Sequence, residues 1–302
     1  VYTIVCKQMS DENLSDFLSE DILSDVDEDK NAGNYHDGND LNDLTGKEWI
    51  KFTKSWKIYR PRSRGQGEKD HPAKFPEELV EDFIGFFTQE GDWVIDPFLG
   101  TGSTLVGSRS MGRNAVGIEL TEKYAEVAEE RASQQSLKPV ELEVINEDSR
   151  VALSELDREF DYCLTSPPYW NMLNKSRGGV ESQHKKREKE DLDTEYSDLE
   201  KDLGNIEDYD RFVSELGQIF DLVYDRLKTG GYLTIVIQNI RTEDGEMKPL
   251  AWDLASSVSG KFTLKQEKIW LQDDKPLGIW GYPSEYVSNV AHHYCLIFKK
   301  DE

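Results

Sequence analysis

The stretch that decides the fold is DWVIDPFLGTGST, residues 92–104. The apolar run at 93–95 predicts a buried strand, and the loop that follows contains Gly100 and Gly102, where the backbone can approach a ligand closely. Ser103 and Thr104 then begin a helix, whose N-terminus points at the same place. We therefore expect a strand, a ligand-binding loop and a helix in succession.

The chain beyond this loop alternates between strands and helices. Helical patterns occupy 121–135 and 208–231, and the second is predicted to stop at its glycines after a basic last turn. This alternation predicts an α/β fold with a doubly wound, mostly parallel sheet. The last two strands lack a clear helix between them, which predicts an antiparallel edge. Besides 93–95, the predicted strands are 115–118, 142–145, 162–164, 232–237, 264–270 and 294–298.

Charge is distributed unevenly along the 302 residues, which contain 60 acidic and 36 basic residues and have a net charge of −24. Residues 1–45 contain twelve of the acids against two lysines and few large apolar residues. They predict a disordered acidic tail, with a short amphipathic helix within 10–26 as the alternative. The remainder, 46–302, is predicted to form a single domain.

Two segments gather basic residues that could contact nucleic acid. Residues 47–74 carry nine lysines and arginines against three acids, interleaved with Trp49, Phe52, Trp56 and Tyr59. Either these aromatic rings stack on bases, or they pack on the core beneath a solvated basic face. The charged insertion 171–204 is interpreted either as a target-recognition loop or as an ordinary solvated one. The basic residues of its first half are Lys175, Arg177, Lys185, Lys186, Arg187 and Lys189.

Cysteine and histidine usage argues against a disulfide framework and a metal site. Cys6, Cys163 and Cys295 are widely separated and form no CxxC pair, which favours a reducing, cytoplasmic compartment. His292 and His293 have no third ligand at a suitable spacing, so no metal is predicted. The sequence has no apolar run long enough for a membrane span and no signal-peptide pattern. We expect a soluble protein.

The position of Glu119 indicates which ligand the loop after the strand at 93–95 binds. It closes the second strand in GIEL, 23 residues after Asp96, the position from which an acid binds ribose hydroxyls. The loop has GTG rather than GxGxxG, and Asp96 at its head suits a cationic ligand better than a pyrophosphate. An adenosyl cofactor with an amino group and a sulfonium fits these features better than a dinucleotide.

The fourth strand leads into SPPYW, residues 166–170. Ligands bind outside the carboxyl ends of such strands, so this turn is expected beside the cofactor loop. The Ser166 hydroxyl and the Pro167 carbonyl can each accept one N–H of an exocyclic amino group, which directs its lone pair toward an electrophilic methyl group. Pro168 stiffens the turn, and Tyr169 offers a face on which an extruded base can stack. Such chemistry depends on positioning and needs no covalent enzyme intermediate.

These motifs together resemble one family. DPFLGTGST, GIEL, TSPPYW and the upstream HPAKFPEEL are similar to the S-adenosylmethionine-dependent DNA amino-methyltransferases, which act on N4 of cytosine or N6 of adenine. The resemblance covers roughly residues 71–300 and implies a Rossmann-like class I methyltransferase fold. It also implies S-adenosyl-L-methionine as cofactor, double-stranded DNA as substrate and, in a restriction-modification pair, a cognate endonuclease as partner. The cofactor loop precedes SPPYW here, whereas many SPPY enzymes have the reverse order.

The resemblance also assigns individual residues. Asp148 in INEDS matches the group that contacts the adenine ring, and Ser166 to Tyr169 match the catalytic tetrapeptide. Trp170 and the basic residues of the insertion are implied in substrate binding. The implied cofactor-binding residues are Lys74, Phe75, Pro76, Asp96, Pro97, Phe98, Gly100, Thr101, Gly102, Ser103, Glu119, Leu120, Asp148 and Ser149.

Several alternatives stay open. Ser at position 166 is associated mostly with cytosine N4, and adenine N6 is the alternative. RNA or protein-glutamine methyltransferases have similar cofactor loops and a related turn. A 5-methylcytosine enzyme needs a thiolate nucleophile, and no Pro-Cys pair exists here. A non-catalytic binding module is the remaining hypothesis. Target recognition is expected from 47–70, from the insertion, or from the loop around DDKPLGIWGYPSEY.

Overall fold

A single eight-stranded sheet forms the centre of the structure. The structure is a computed structural model, and it describes residues 36, 38–60, 76–133, 139–170, 202–242, 245–275, 277–279 and 281–301. The strands of this sheet are β1 (Trp56–Ile58), β2 (Trp93–Asp96), β3 (Asn114–Glu119), β4 (Leu142–Asn146), β5 (Phe160–Thr165), β6 (Leu227–Ile237), β9 (Thr263–Leu271) and β10 (His292–Lys299); β7 (Ile240–Arg241) and β8 (Met247–Lys248) form a separate two-stranded ribbon.

The strand order is β1-β9-β10-β6-β5-β2-β3-β4. The five strands from β2 to β6 run parallel, β10 is antiparallel to both its neighbours, and β1 pairs parallel with β9. The mostly parallel sheet with an antiparallel edge is therefore confirmed, together with all seven predicted strands. The sequence did not predict β1, because three residues centred on Lys57 carry no periodicity long enough to read.

Helices cover both faces of the sheet, as a doubly wound fold requires. The α-helices among the described residues are α1 (Gly46–Phe52), α2 (Glu77–Phe87), α3 (Ser103–Met111), α4 (Glu122–Ala132), α5 (Ser149–Glu155), α6 (Tyr209–Arg226) and α7 (Leu250–Val258). One face carries α5, α6 and α7, and the other carries α2, α3 and α4. Their apolar stripes pack on strand residues that alternate between the faces, such as Tyr162 and Cys163 of β5.

The predicted end of α6 was wrong by a few residues. The helix ends at Arg226, and β6 begins directly at Leu227, so Gly230 and Gly231 lie within the strand rather than at a helix stop. Gly231 has the Asp161 and Lys228 carbonyl oxygens 2.9 Å from where a Cβ would stand. Close backbone approach, and not helix termination, therefore explains this glycine.

The aromatic residues of the basic segment mostly serve the core. Phe52 stacks on Phe86 of α2 with ring centroids 4.1 Å apart, and Trp49 packs on the same ring at 4.8 Å. Tyr59 is 1% exposed, whereas Trp56 is 39% exposed beneath the Lys54 ammonium. The packing alternative is thus confirmed for Trp49, Phe52 and Tyr59, because the first two rings pack on α2 and the third is buried.

The end of the predicted acidic tail lies against this same unit. Asn42 is fully buried and donates from Nδ2 to the Phe86 carbonyl oxygen at 2.7 Å. Asp43 pairs with the buried guanidinium of Arg113 at 2.9 Å. Thr45 then caps α1. Of the predicted tail, residues 1–35 and 37 lie outside the described residues, and the domain division at 45 stays a prediction.

Among the helices that the structure describes, none combines the length and apolarity needed to cross a bilayer.

Candidate active site at the carboxyl edge of the sheet

The carboxyl ends of β2, β3 and β5 place the predicted site residues at one edge. The strand order changes direction between β2 and β5, since β3 and β4 lie to one side and β6 to the other. At such a switch point the loops after adjacent strands separate and leave a crevice. The loop after β2 and the SPPYW turn after β5 both begin at this crevice.

Two glycines shape the loop after β2. Gly100 and Gly102 both have positive φ, 55° and 85°, a region that other residues adopt at a cost. A Cβ on Gly102 would also stand 3.0 Å from the Ala128 Cβ of α4. Gly102 is the N-cap residue of α3, and its lack of a side chain lets the start of α3 pack closely against α4.

Asp96 joins the loop to the strand that leads into SPPYW. Its Oδ1 accepts from the Phe98 amide at 3.0 Å and from Thr165 Oγ1 at 2.6 Å, and its Oδ2 accepts from Thr104 Oγ1 at 2.6 Å. Burial raises the pKa of this carboxyl to about 6, although all three hydrogen bonds lower it. Thr165 precedes Ser166 directly, so one carboxyl group fixes both loops.

Glu119 holds the loop from the neighbouring strand. Its Oε2 accepts from the Gly100 amide at 2.8 Å, and its Oε1 accepts from the Thr121 amide at 2.8 Å. Burial raises the pKa of Glu119 to about 7. A carboxylate has about four acceptor positions, so both oxygens keep capacity for a further donor such as a ribose hydroxyl. The residue fits its predicted role, which no contact in the structure tests.

Asp148 and Ser149 lie at the N-terminus of α5. Asp148 is 7% exposed and binds the Arg150 guanidinium through both oxygens, at 3.0 Å to Nε and 2.7 Å to Nη2. Arg150 in turn reaches Glu215 of α6 at 3.0 Å. Ser149 donates its hydroxyl to the Pro97 carbonyl oxygen, which ties α5 to the cofactor loop. No sequence pattern indicated that Arg150 would bind the acid that is predicted to contact the adenine ring.

The SPPYW turn is well packed. Ser166 is partly exposed, Pro167 is buried, and Tyr169 is only 6% exposed, with its Oη 3.5 Å from Ser166 Oγ. Trp170 lies edge-on to Tyr209 of α6 at 5.2 Å. Ser166 therefore keeps part of its surface exposed, while the Tyr169 and Trp170 rings pack against the rest of the protein.

Other predicted residues fall in several places. Pro76 is buried at the N-terminus of α2, and the Phe98 ring packs on Phe220 at 6.4 Å. Thr101 is buried, and its carbonyl oxygen accepts from the Arg131 guanidinium, which also pairs with Glu77 at 3.2 Å. Leu120 follows β3 and is partly exposed. The predicted residues that lie outside the described ranges are Lys74, Phe75, Lys175, Arg177, Lys185, Lys186 and Arg187.

Supporting residues were missed by sequence reasoning. Thr165 and Arg131 both contact the cofactor loop, and only the position of Thr165 immediately before SPPYW could have signalled its role. The loop between β9 and β10 belongs to the same edge and exposes large apolar side chains. Within the ranges that the structure describes, no three His, Cys, Asp or Glu side chains gather into a group that could hold a metal ion. In the β9–β10 loop, the exposed large apolar side chains are Leu277, Ile279, Tyr282 and Tyr286.

Comparison with known proteins gives a consistent result. The family model for the N6/N4 DNA methylases matches residues 7–130 and 160–302. The type II methyltransferase M.BglI of Bacillus subtilis is 39% identical over 89 residues, which are 30% of this chain and 25% of that protein. The type II methyltransferase M.HinfI of Haemophilus influenzae is 37% identical over 102 residues, 34% of this chain and 25% of that protein. The chain thus spans about a quarter of the length of these two curated relatives.

Among solved structures, the crystal structure of TrmN from Thermus thermophilus aligns with a TM-score of 0.44 and 14% identity, over 74% of this chain and 48% of that chain.

Proposed function

Since the chain belongs to the N6/N4 family of DNA methylases, we propose that it transfers a methyl group from S-adenosylmethionine to the exocyclic amino group of a base in DNA. One observation carries the proposal beyond family membership. The carboxyl group of Asp96 accepts hydrogen bonds from both the cofactor loop and Thr165, which precedes Ser166. A methyl donor held by the loop would therefore lie across a short crevice from the amino-group acceptors.

The residues of the crevice suit an adenosyl cofactor. Glu119 offers carboxylate lone pairs to ribose hydroxyls, and Asp148 lies beside the crevice for contact with the adenine ring. Asp96 places a carboxyl group at the head of the loop, where it favours a cationic ligand over a phosphate. Lys74, Phe75 and Pro76 complete the proposed site beside the methionine part. When bound, the cofactor supplies an electrophilic methyl group on a sulfonium.

The SPPY turn would orient the accepting amine. An exocyclic amino nitrogen is a poor nucleophile, because its lone pair is delocalised into the ring. The Ser166 hydroxyl oxygen and the Pro167 carbonyl oxygen each accept one N–H, which fixes the nitrogen with its lone pair toward the methyl group. The nitrogen would gain the methyl group as the carbon–sulfur bond of the donor breaks to leave a neutral thioether. One amino proton would pass to solvent water, because a hydroxyl and an amide carbonyl are too weakly basic to keep it. Pro168 restricts the backbone so that both acceptors keep their spacing.

The target base must leave the duplex to reach this turn. We propose that it is extruded and stacks on the Tyr169 ring, as enzymes that modify a base atom inside a duplex require. Tyr169 is 6% exposed and packs within the core, so this stacking would require the side chains that cover its ring to move aside. Serine at position 166 favours cytosine N4 as the methylated atom, and adenine N6 is the alternative.

DNA contact is proposed for the segments around the crevice. Trp170, residues 171–204 and the loop with Leu277, Ile279 and Tyr282 lie next to the SPPY turn in the chain or at its edge of the sheet. A net charge of −24 opposes binding to DNA unless acids face away from this side. We propose double-stranded DNA as the substrate and a cognate restriction endonuclease as a partner. We also propose that residues 46–302 form one domain and that the protein is cytoplasmic.

Nucleoside analysis tests the proposed function directly. The purified chain is incubated with methyl-labelled S-adenosylmethionine and duplex DNA of varied sequence, and the digested nucleosides are identified by mass spectrometry. We expect N4-methylcytosine at a defined sequence. N6-methyladenine would support the alternative base, label in RNA but not in DNA would redirect the substrate class, and no measurable cofactor binding by calorimetry would favour a non-catalytic module.

A further inference from the structure

His293 stands at the same edge of the sheet as the SPPY turn, yet neither motif assigns it a role. It is the second residue of β10, which runs antiparallel to β6 and β9. The amino end of β10 therefore meets the carboxyl ends of those two strands. This topology brings His293 to the crevice although it follows Tyr169 by more than a hundred residues in the sequence.

Three rings form a column that ends at the catalytic turn. The His293 imidazole stacks on Trp270 with centroids 4.4 Å apart and planes inclined by 22°. Its other neighbour is the Tyr169 ring, at 6.0 Å and 40°. Trp270 is anchored in turn by its Nε1, which donates to the Tyr59 carbonyl oxygen at 3.1 Å. Trp270 and His293, which both belong to strands of the sheet, thus support the Tyr169 ring.

The imidazole keeps a hydrogen-bonding nitrogen that the fold does not use. His293 is 8% exposed, and its Nδ1 is buried without a hydrogen-bond partner among the described residues. Burial lowers the pKa of His293 to about 3, helped by the charge of Lys275, so the ring is neutral. A buried nitrogen without a partner destabilises a fold, and a phenyl ring would stack equally well without that cost. Stability alone therefore does not account for a histidine here.

We propose that His293 is a positioning and specificity residue of the target-base pocket: its ring holds Tyr169 in place, and its free nitrogen is kept for a hydrogen bond with the extruded base. This inference rests on the proposed function. A neutral imidazole has one donor and one acceptor nitrogen, and the edge of a nucleobase offers both kinds of partner. The ligand chemistry that fits is therefore a planar heterocycle stacked on Tyr169 with a polar edge toward His293.

The neighbouring His292 provides a matched control. Successive residues of a strand point to opposite faces, and the His292 ring packs edge-on to Tyr294 at 5.0 Å, away from the column. Replacing His292 with Phe removes the same chemical group from the same strand end. It leaves the Trp270, His293 and Tyr169 rings untouched.

The test compares His293→Phe with His292→Phe in thermal unfolding, cofactor binding and DNA methylation. For His293→Phe we expect a Tm equal to or above that of the wild type, a cofactor Kd within twofold, and kcat/KM for DNA lower by about tenfold or more, the loss typical of one buried hydrogen bond. His293→Ala, which also removes the ring, should lower kcat further. His292→Phe should keep kcat/KM within twofold.

Two results would overturn the inference. Wild-type kcat/KM in His293→Phe would show that the nitrogen does not meet the substrate. A joint fall of Tm and activity in that variant would show a merely structural residue. Failure of the proposed function is a separate result, because it would appear as the absence of methyl transfer by the wild-type chain itself.

Discussion

Thr165 donates a hydrogen bond from Oγ1 to Oδ1 of Asp96 at 2.6 Å, and both side chains are almost completely buried. The two residues end adjacent parallel strands, and each begins one of the two loops that border the crevice. A change in this contact would therefore alter the distance between the two loops, and so between the proposed methyl donor and acceptor. Because both side chains are buried, water cannot replace the lost hydrogen bond.

Thr165→Val tests this link. The substitution keeps the shape and removes the hydroxyl, so the buried Asp96 carboxyl loses one donor, at a cost of about 1.5–3 kcal/mol in the free energy of unfolding. We expect kcat to fall by about tenfold and cofactor affinity to fall less. Denaturant unfolding and steady-state kinetics measure both effects. Thr165→Ser keeps the hydroxyl and should retain most of both properties; equal losses in the two variants would contradict a role for the hydrogen bond.

Ser166→Ala should separate chemistry from cofactor binding. The Ser166 hydroxyl is proposed to accept an N–H of the target amine, and among the described residues no hydrogen bond joins it to the cofactor loop. Turnover should therefore fall by about a hundredfold or more, while the calorimetric Kd for S-adenosylmethionine stays within about twofold. Ser154→Ala, at an exposed position of α5, is the control. Comparable losses in turnover and cofactor affinity would count against the assigned role.

Glu119 predicts a pH dependence with a definite sign. Its folded pKa is about 7 against an ordinary 4.5, so ionisation of the buried carboxyl destabilises the fold progressively as pH rises from about 4.5 to 7. The Tm of Glu119→Gln relative to wild type should therefore increase across this range. Wild-type cofactor affinity should rise toward pH 7–8, because ribose hydroxyls donate best to the ionised form, and Glu119→Gln should bind about tenfold more weakly without that pH dependence.

Thermal unfolding and calorimetry between pH 5 and 8 measure these two trends. Glu122→Gln, on the exposed side of the adjacent α4 N-terminus, is the control and should follow the wild type. A parallel pH profile for wild type and Glu119→Gln would refute the assignment.

Gly102→Ala should harm both stability and cofactor binding. The new Cβ meets the Ala128 Cβ at 3.0 Å, in a residue whose φ of 85° already disfavours alanine by about 1–2 kcal/mol. Gly91 has a φ of 87° with nothing within 4 Å of its Cβ position, so Gly91→Ala isolates the backbone cost. Urea unfolding should show a larger loss for Gly102→Ala, and cofactor affinity should fall only there. Equal losses at both sites would mean that the contact with Ala128 has no effect.

Deleting residues 1–37 tests whether the acidic segment competes with DNA. Asn42 and Asp43 are left in place because they contact Phe86 and Arg113 of the sheet domain. Removing most of the tail's negative charge should tighten DNA binding in low salt and have little effect at high salt, where charges are screened. Fluorescence anisotropy with labelled duplex at both salt concentrations measures this, and unchanged affinity at low salt would remove the idea.

Sequence patterns predicted seven strands of the central sheet because each of these carried its own apolar run, which β1 lacks. The hydrogen bond that joins the two sides of the crevice could not be predicted in this way, because it links residues that are distant in the sequence. Thr165 meets Asp96 only because β5 pairs with β2, and no local pattern states that pairing. The contact of Arg150 with Asp148 is local instead, only two residues apart in the sequence, and it was missed because the motif INEDS ends at Ser149, one residue before Arg150. The rings of the basic segment were ambiguous because aromatic residues suit a core and a nucleic-acid surface equally well.

The parallel pairing of β1 with β9 has a consequence for how the chain is made. Trp270 binds the Tyr59 carbonyl oxygen across 211 residues of sequence. During synthesis, β1 therefore has no partner strand until Trp270 of β9, 211 residues after Tyr59, has left the ribosome. Until then β1 is an unpaired sheet edge of the kind that invites aggregation, and its completion is expected among the last steps of folding.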